Sequence, residues 1–175
     1  KGRIPVIKMR GRSPRDTMRV LLDPSSPSSW MEFTTSQTFG ADFLGWDGEP
    51  IPYRGAYNTG GVDAYSAVVS QLRIDQLFME YIPFYVRMAM HSLGPLARGI
   101  REPHVDAVLG YDNLRVFEYV QFDLEKGVVK FSASIPYIPR ESWLMSTARI
   151  VPQRSYGLAV KGAIFGEPTP ILLDF

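Results

Sequence analysis

Residues 20–30 read VLLDPSSPSSW. Three apolar residues run into Asp23, a turn of prolines and serines follows, and Trp30 stands seven positions after the acid. An aspartate in such a turn can serve simply as a turn or cap acid. Delivered to a fixed place at the end of an apolar strand, it can also work as a general acid or base.

Other chemistries lack their residues. The chain has no cysteine, which removes disulfides, thiolate zinc sites and cysteine nucleophiles. His91 and His104 lie thirteen apart with no HExxH-type spacing, so they are read as loop histidines rather than ligands, and no metal is expected. No GxSxG elbow and no GxxxxGK or GxGxxG phosphate loop occurs. No cofactor is expected either. Basic residues gather near the N-terminus (Lys1, Arg3, Lys8, Arg10, Arg12 and Arg15), but no aromatic interleaves with them, and Asp16 and the acidic remainder offset them. With a net charge of only +1, this is a solvated strand and turn, and no nucleic-acid partner is expected. The most apolar region, Leu77–Ile100, is broken by Glu80, Pro83, Arg87, His91, Gly94, Pro95 and Arg98, so no membrane span is expected.

The elements that must position Asp23 are strands. A chain of 175 residues can bury one good core or two small lobes, and 15 glycines with 14 prolines favour many short strands joined by turns. Ile4–Met9 is read as a strand, Gly11–Asp16 as a turn and Met18–Leu22 as the strand that ends at Asp23. Ser36–Gly55 is loop-rich and Ala64–Ile74 is a strand. Leu77–Ala89 is either a strand pair broken at Pro83 or a helix, because periodicity does not decide. His91–His104 is read as a loop. Arg115–Phe122 alternates, and Glu125-Lys126-Gly127 turns it into Val128–Phe131, a hairpin pattern. Ile135–Arg140 is read as a linker, and Ser155–Phe175 as strand, turn, strand.

The end of the chain repeats its beginning. MRGRSPRDTMRVLLD at 9–23 and VKGAIFGEPTPILLD at 160–174 each carry a base, a glycine, eleven further residues and then an acid preceded by two leucines. Such a match is expected of one supersecondary unit used twice, a hairpin whose second strand delivers Asp23 in one copy and Asp174 in the other.

These features resemble the pepsin family of aspartic peptidases, with retropepsin-like traits. The family's turn is Asp-Thr-Gly-Ser-Ser with a later tryptophan. Asp23, Ser26 and Trp30 match it. The family's flap pattern Tyr-Gly-Thr-Gly-Ser is approached by YNTGG, where Tyr57, Thr59 and Gly60 match. Its apolar pair followed by glycine, which packs beside the aspartate strand, is met by Val108, Leu109 and Gly110. FEYVQFDLEKGVVKFS resembles the strand pair that follows. The resemblance implies an all-β fold, a closed β-barrel with a ψ-loop and a flap hairpin. It implies Asp23 and Asp174 as catalytic-type acids, with Ser26, Trp30, Leu109 and Gly110 supporting them and Tyr57, Thr59 and Gly60 on the flap. In the family, two carboxylates about 3 Å apart share one proton, one activating water and the other polarising the substrate carbonyl.

Two departures concern catalysis. The family's hydroxyl after the aspartate, which bonds across to the partner turn, is replaced by Pro24, and the family's glycine by Ser25. Asp174 is followed only by Phe175. The expectation is therefore a protein degenerate or incomplete as a protease, with a peptide or protein as substrate or ligand and homodimerisation as a route to a second carboxylate. A non-catalytic peptide-binding module on the same fold is the alternative, and an unrelated β-barrel is a third reading. The discriminating observation is whether the Asp23 strand lies in a ψ-shaped arrangement beside Leu109-Gly110, and the family assignment is wrong if the two stretches are distant in space. Residues 1–139 are expected to form the lobe, with 140–175 as a linker and strand pair that begins a second, incomplete lobe or an interface sheet. Lys1 implies that the sequence starts downstream of a natural beginning. The lack of cysteine leaves the compartment open, and an exported or periplasmic location is the reading favoured.

Overall fold

A computed structural model describes residues 5–53, 64–87, 105–123, 125–138, 150–153, 157–165 and 167–172. The first hairpin sets the frame. Strands β1 (Val6–Arg10) and β2 (Thr17–Leu22) pair antiparallel, Val6 opposite Leu21 and Arg10 opposite Thr17. After the Asp23 turn come β3 (Trp30–Glu32) and a short helix, Phe33–Thr38. The short strands β4 (Asp42–Phe43), β5 (Gly45–Trp46), β6 (Glu49–Pro50) and β7 (Pro52–Tyr53) follow. The long strands β8 (Ala64–Ile74) and β9 (Leu77–Arg87) form the largest ladder. Strand β10 (Ala107–Leu109) leads into a helical turn, Tyr111–Leu114, and then to the β11 (Tyr119–Asp123) and β12 (Val128–Ser132) hairpin.

The chain is all-β, and its core is a closed barrel of six strands in the order β1-β2-β10-β3-β9-β8, shut where Arg10 of β1 meets Arg73 of β8. Strand β10 lies between β2 and β3, parallel to the first and antiparallel to the second. Two strands joined in sequence with a third inserted between them make a ψ arrangement, which is the fold that the resemblance implies. Leu109 sits opposite Leu22, one residue before Asp23.

Both faces of this sheet are apolar, which is why Val20-Leu21-Leu22 is continuously hydrophobic rather than alternating. Val20, Leu22, Met31, Ala107 and Leu109 point into the main core with Met9, Met18, Leu72, Ile82 and Phe84. Leu21 and Val108 face the other way and pack with Val105, Val6 and Trp30.

The structure settles or adjusts several expectations. Leu77–Ala89 is one strand to Arg87, neither a broken pair nor a helix. Pro83 is tolerated because β9 pairs with β3 only from Tyr85 onward, so no ladder bond is lost there on that side. Ser36–Gly55, expected to be loop-rich, holds the short strands β4–β7 and the second half of the short helix. Its C-terminus is closed by Gly40 (φ 59°), with Ala41 N–H donating to Ser36 O at 2.9 Å and Gly40 N–H to Gln37 O at 3.2 Å. The strand expected from Arg115 begins at Tyr119, because Leu114, Arg115 and Phe117 are tied into turns by bonds to Gly110, Tyr111 and Leu114 carbonyls.

Both repeat segments form hairpins, but not in equivalent register. In the first, the last pair is Arg10–Thr17, and Gly11 lies in the loop. In the second, β14 (Gly157–Ile164) and β15 (Glu167–Leu172) pair through to Ile164–Glu167, and Gly162 lies inside the strand opposite Thr169. With β13 (Ile150–Gln153) they form a separate three-stranded sheet. Asp174 lies outside the described residues, as do the expected flap (Tyr57, Thr59, Gly60), both histidines and the expected boundary at 139–140. Among the described residues, no helix is long and apolar enough to cross a membrane, and no group of three His, Asp or Glu could hold a metal.

Candidate active site

Asp23 begins where β2 stops pairing. Its N–H donates to Leu109 O at 3.1 Å, so the inserted strand β10 fixes its backbone. A tight turn follows, in which Ser26 N–H donates to Asp23 O at 3.1 Å. Pro24 is buried inside that turn. Proline suits the second position of a turn because its φ is already set and the turn needs no N–H from it.

The carboxylate is held on one side. Asp23 Oδ1 accepts from Ser25 N–H at 3.0 Å, from the Ser25 hydroxyl at 2.5 Å and from Ser26 N–H at 3.2 Å. Oδ2 has no hydrogen bond among the described residues. Ser25 is not among the residues with positive φ, so the position does not require glycine. Its side chain adds a donor where the sequence alone suggested a loss. The Ser26 hydroxyl donates onward to Ser28 O at 2.7 Å.

Gly110 is required by close approach. A Cβ there would lie 2.5 Å from Ser28 O, 2.6 Å from Ser28 C and 2.8 Å from Ser26 O, all backbone atoms. Tyr111 N–H donates to Ser26 O at 2.8 Å, locking the same stretch from the other side. Asp23, Ser26, Leu109 and Gly110 are thus brought together. Trp30 stands at the end of the turn on the outer face of the sheet, its ring 5.4 Å from that of Tyr85 and 4.3 Å from Arg87 Cζ, a cation–π contact.

Three polar residues that the sequence reading passed over complete the turn. Ser29 and Asn113 are buried, and Asp112 joins them. The Ser29 hydroxyl donates to Asp112 Oδ1 at 2.6 Å and accepts from Gly110 N–H at 2.8 Å and from Asn113 Nδ2 at 2.9 Å. The signal was present in GYDNL, where a strand-ending glycine is followed by two residues able to reach back. Nothing local marked Ser29 among its neighbouring serines.

No family model matches the chain. No curated protein sequence matches it either. Among solved structures, it is similar to the crystal structure of a retropepsin-like aspartic protease from Rickettsia conorii, with 13% identity and a TM-score of 0.42 over 67% of this chain and 75% of that one. It is also similar to the retroviral protease-like domain of Ddi1 from Leishmania major, with 14% identity and a TM-score of 0.47 over 82% of this chain and 100% of that one.

Proposed function

We propose that this chain is an aspartic-peptidase-like protein in which Asp23 is the catalytic-type acid, and that one chain is incomplete as a protease. The observation that carries this reading is the Asp23 carboxylate. It stands at the head of a ψ arrangement, with Oδ1 held by Ser25 and Ser26 and Oδ2 left to act. In such a site Oδ1 keeps the orientation and Oδ2 addresses a water or a substrate carbonyl. The chemistry needs a second carboxylate to share the proton. A second copy of the chain, presenting its own Asp23, supplies one in a homodimer, and the sheet of β13–β15 is the interface sheet in this reading. The substrate in this reading is a peptide in extended form, which can add to a β-sheet as a further strand.

Pro24 favours a second reading. It removes the hydroxyl that the family uses to tie one turn to its partner, so two Asp23 turns meet without that cross-bond. A non-catalytic module would keep the cleft and bind peptide without cutting it.

Cleavage of an unfolded protein by the purified chain and by Asp23→Asn, from acidic to neutral pH, separates the two. The proposal expects acid-favoured cleavage that Asp23→Asn abolishes. Cleavage that survives the substitution overturns it. Peptide binding without cleavage in either form establishes the binding module.

A further inference from the structure

Ser29 is fully buried, yet its hydroxyl uses all of its bonding capacity: one donation to Asp112, and acceptance from Gly110 N–H and Asn113 Nδ2. Asp112 takes two further donors, Ser29 N–H on Oδ2 at 3.0 Å and Asn113 N–H on Oδ1 at 2.8 Å. Asn113 Nδ2 also reaches Pro83 O at 2.8 Å, and Ser29 O accepts from Tyr85 N–H at 3.0 Å. One hub therefore joins the end of the Asp23 turn, the residues after β10, and β9.

The rest of the barrel is packed with aliphatic side chains, Met and Phe84. A buried polar hub costs desolvation that apolar packing would avoid, and it is tolerable only when every member is satisfied. What the hub adds is direction. The turn from Asp23 to Ser29 has one anchor at its start, Asp23 N–H on Leu109 O, and this hub at its end. The residues between are threaded against Gly110 with no room for a Cβ.

We infer that Asp112 is a positioning residue for Asp23. It fixes Ser29, and through the short turn it fixes where Oδ2 of Asp23 points. This rests on the aspartic-peptidase reading for its functional consequence, but not for its geometric one.

Asp112→Asn is the sharp test. Both carboxylate oxygens face donors, so either orientation of an amide sets an N–H against an N–H or O–H. Two readouts are taken: kcat and KM on a peptide, and the amide resonances of Ser25 and Ser26, whose N–H groups bond Asp23. The expected result is a kcat reduced about tenfold or more with KM little changed. The Ser25 and Ser26 amides shift while those of Val20 and Leu72 in the core stay put. Glu80→Gln, an exposed acid on β9, moves neither readout. Ser29→Ala serves as the second variant if Asp112→Asn does not fold, with the same expectation. A fall in melting temperature with kcat and both amides unmoved overturns the inference and leaves the hub structural. If the wild-type chain cleaves nothing, the functional proposal fails, and the Ser25 and Ser26 amides alone decide the positioning role.

Discussion

Ser25 stands where the family resemblance leads one to expect glycine, and from sequence the exchange looked like a loss. In the structure its backbone needs no left-handed φ, and its hydroxyl and N–H both serve Asp23 Oδ1. Side-chain gain at a turn is hard to foresee, because the direction of a hydroxyl depends on the turn's geometry. Gly110 is the opposite case. Its place after Val108-Leu109 was legible, and the structure supplies the reason, a contact with Ser26 and Ser28 backbone too close for a Cβ. Gly110→Ala must push that backbone away, and the obstacle is not a side chain that can rotate aside. We expect a destabilisation of about 3 kcal/mol, the upper part of the range for overpacking, measured by urea denaturation. Ser29, Asp112 and Asn113 escaped the sequence because their bonds span 83 and 84 residues. GYDNL marks Asp112 and Asn113 as able to reach back, but no short-range spacing names Ser29 as the residue they meet.

At the scale of elements, hairpins were the most legible. Ala64–Ile74 is one strand with the bounds the pattern suggested, and the β11–β12 pairing follows the alternation and the Glu-Lys-Gly turn. Leu77–Ala89 stayed ambiguous because β9 has β8 on one side and β3 on the other, and it mixes buried Ile82, Phe84 and Val86 with exposed Phe78 and Tyr81. The β11–β12 turn also carries a pH-dependent contact. The Lys126 backbone N–H, at 3.0 Å from Asp123 Oδ1, holds the Asp123 carboxyl below its ordinary range, with the Lys126 charge adding to it and desolvation opposing. A carboxylate whose folded value is depressed contributes stability above its unfolded value, and the contribution is lost as pH falls through the folded value. Asp123→Asn should therefore melt slightly below the wild type at neutral pH. The gap should close in acid, as read by thermal denaturation at several pH values. A gap that widened in acid would contradict this. The repeat was legible as two hairpins, but not in register, because a loop after Gly11 and a tight turn after Ile164 place the strand pairs differently.

For the whole molecule, the all-β class was legible in the many short strand patterns joined by Gly and Pro turns, whereas the ψ placement of β10 was legible only through the family resemblance carried by an apolar run ending in acid and an apolar run ending in glycine. Barrel closure was legible only through the family resemblance, because it rests on the meeting of Arg10 and Arg73 at the ends of two strands distant in sequence, which no local pattern marks. In the proposed reading, a second copy of the chain supplies the second carboxylate, and the working site belongs to two copies. The most direct test is the rate of peptide cleavage in acid as a function of protein concentration, for the wild type and for wild type mixed with Asp23→Asn. The account predicts a rate that rises with the square of concentration while dimers are scarce, and a mixture less active than its wild-type content. A rate strictly proportional to concentration, undiminished by added Asp23→Asn, would contradict it and place both carboxylates in one chain.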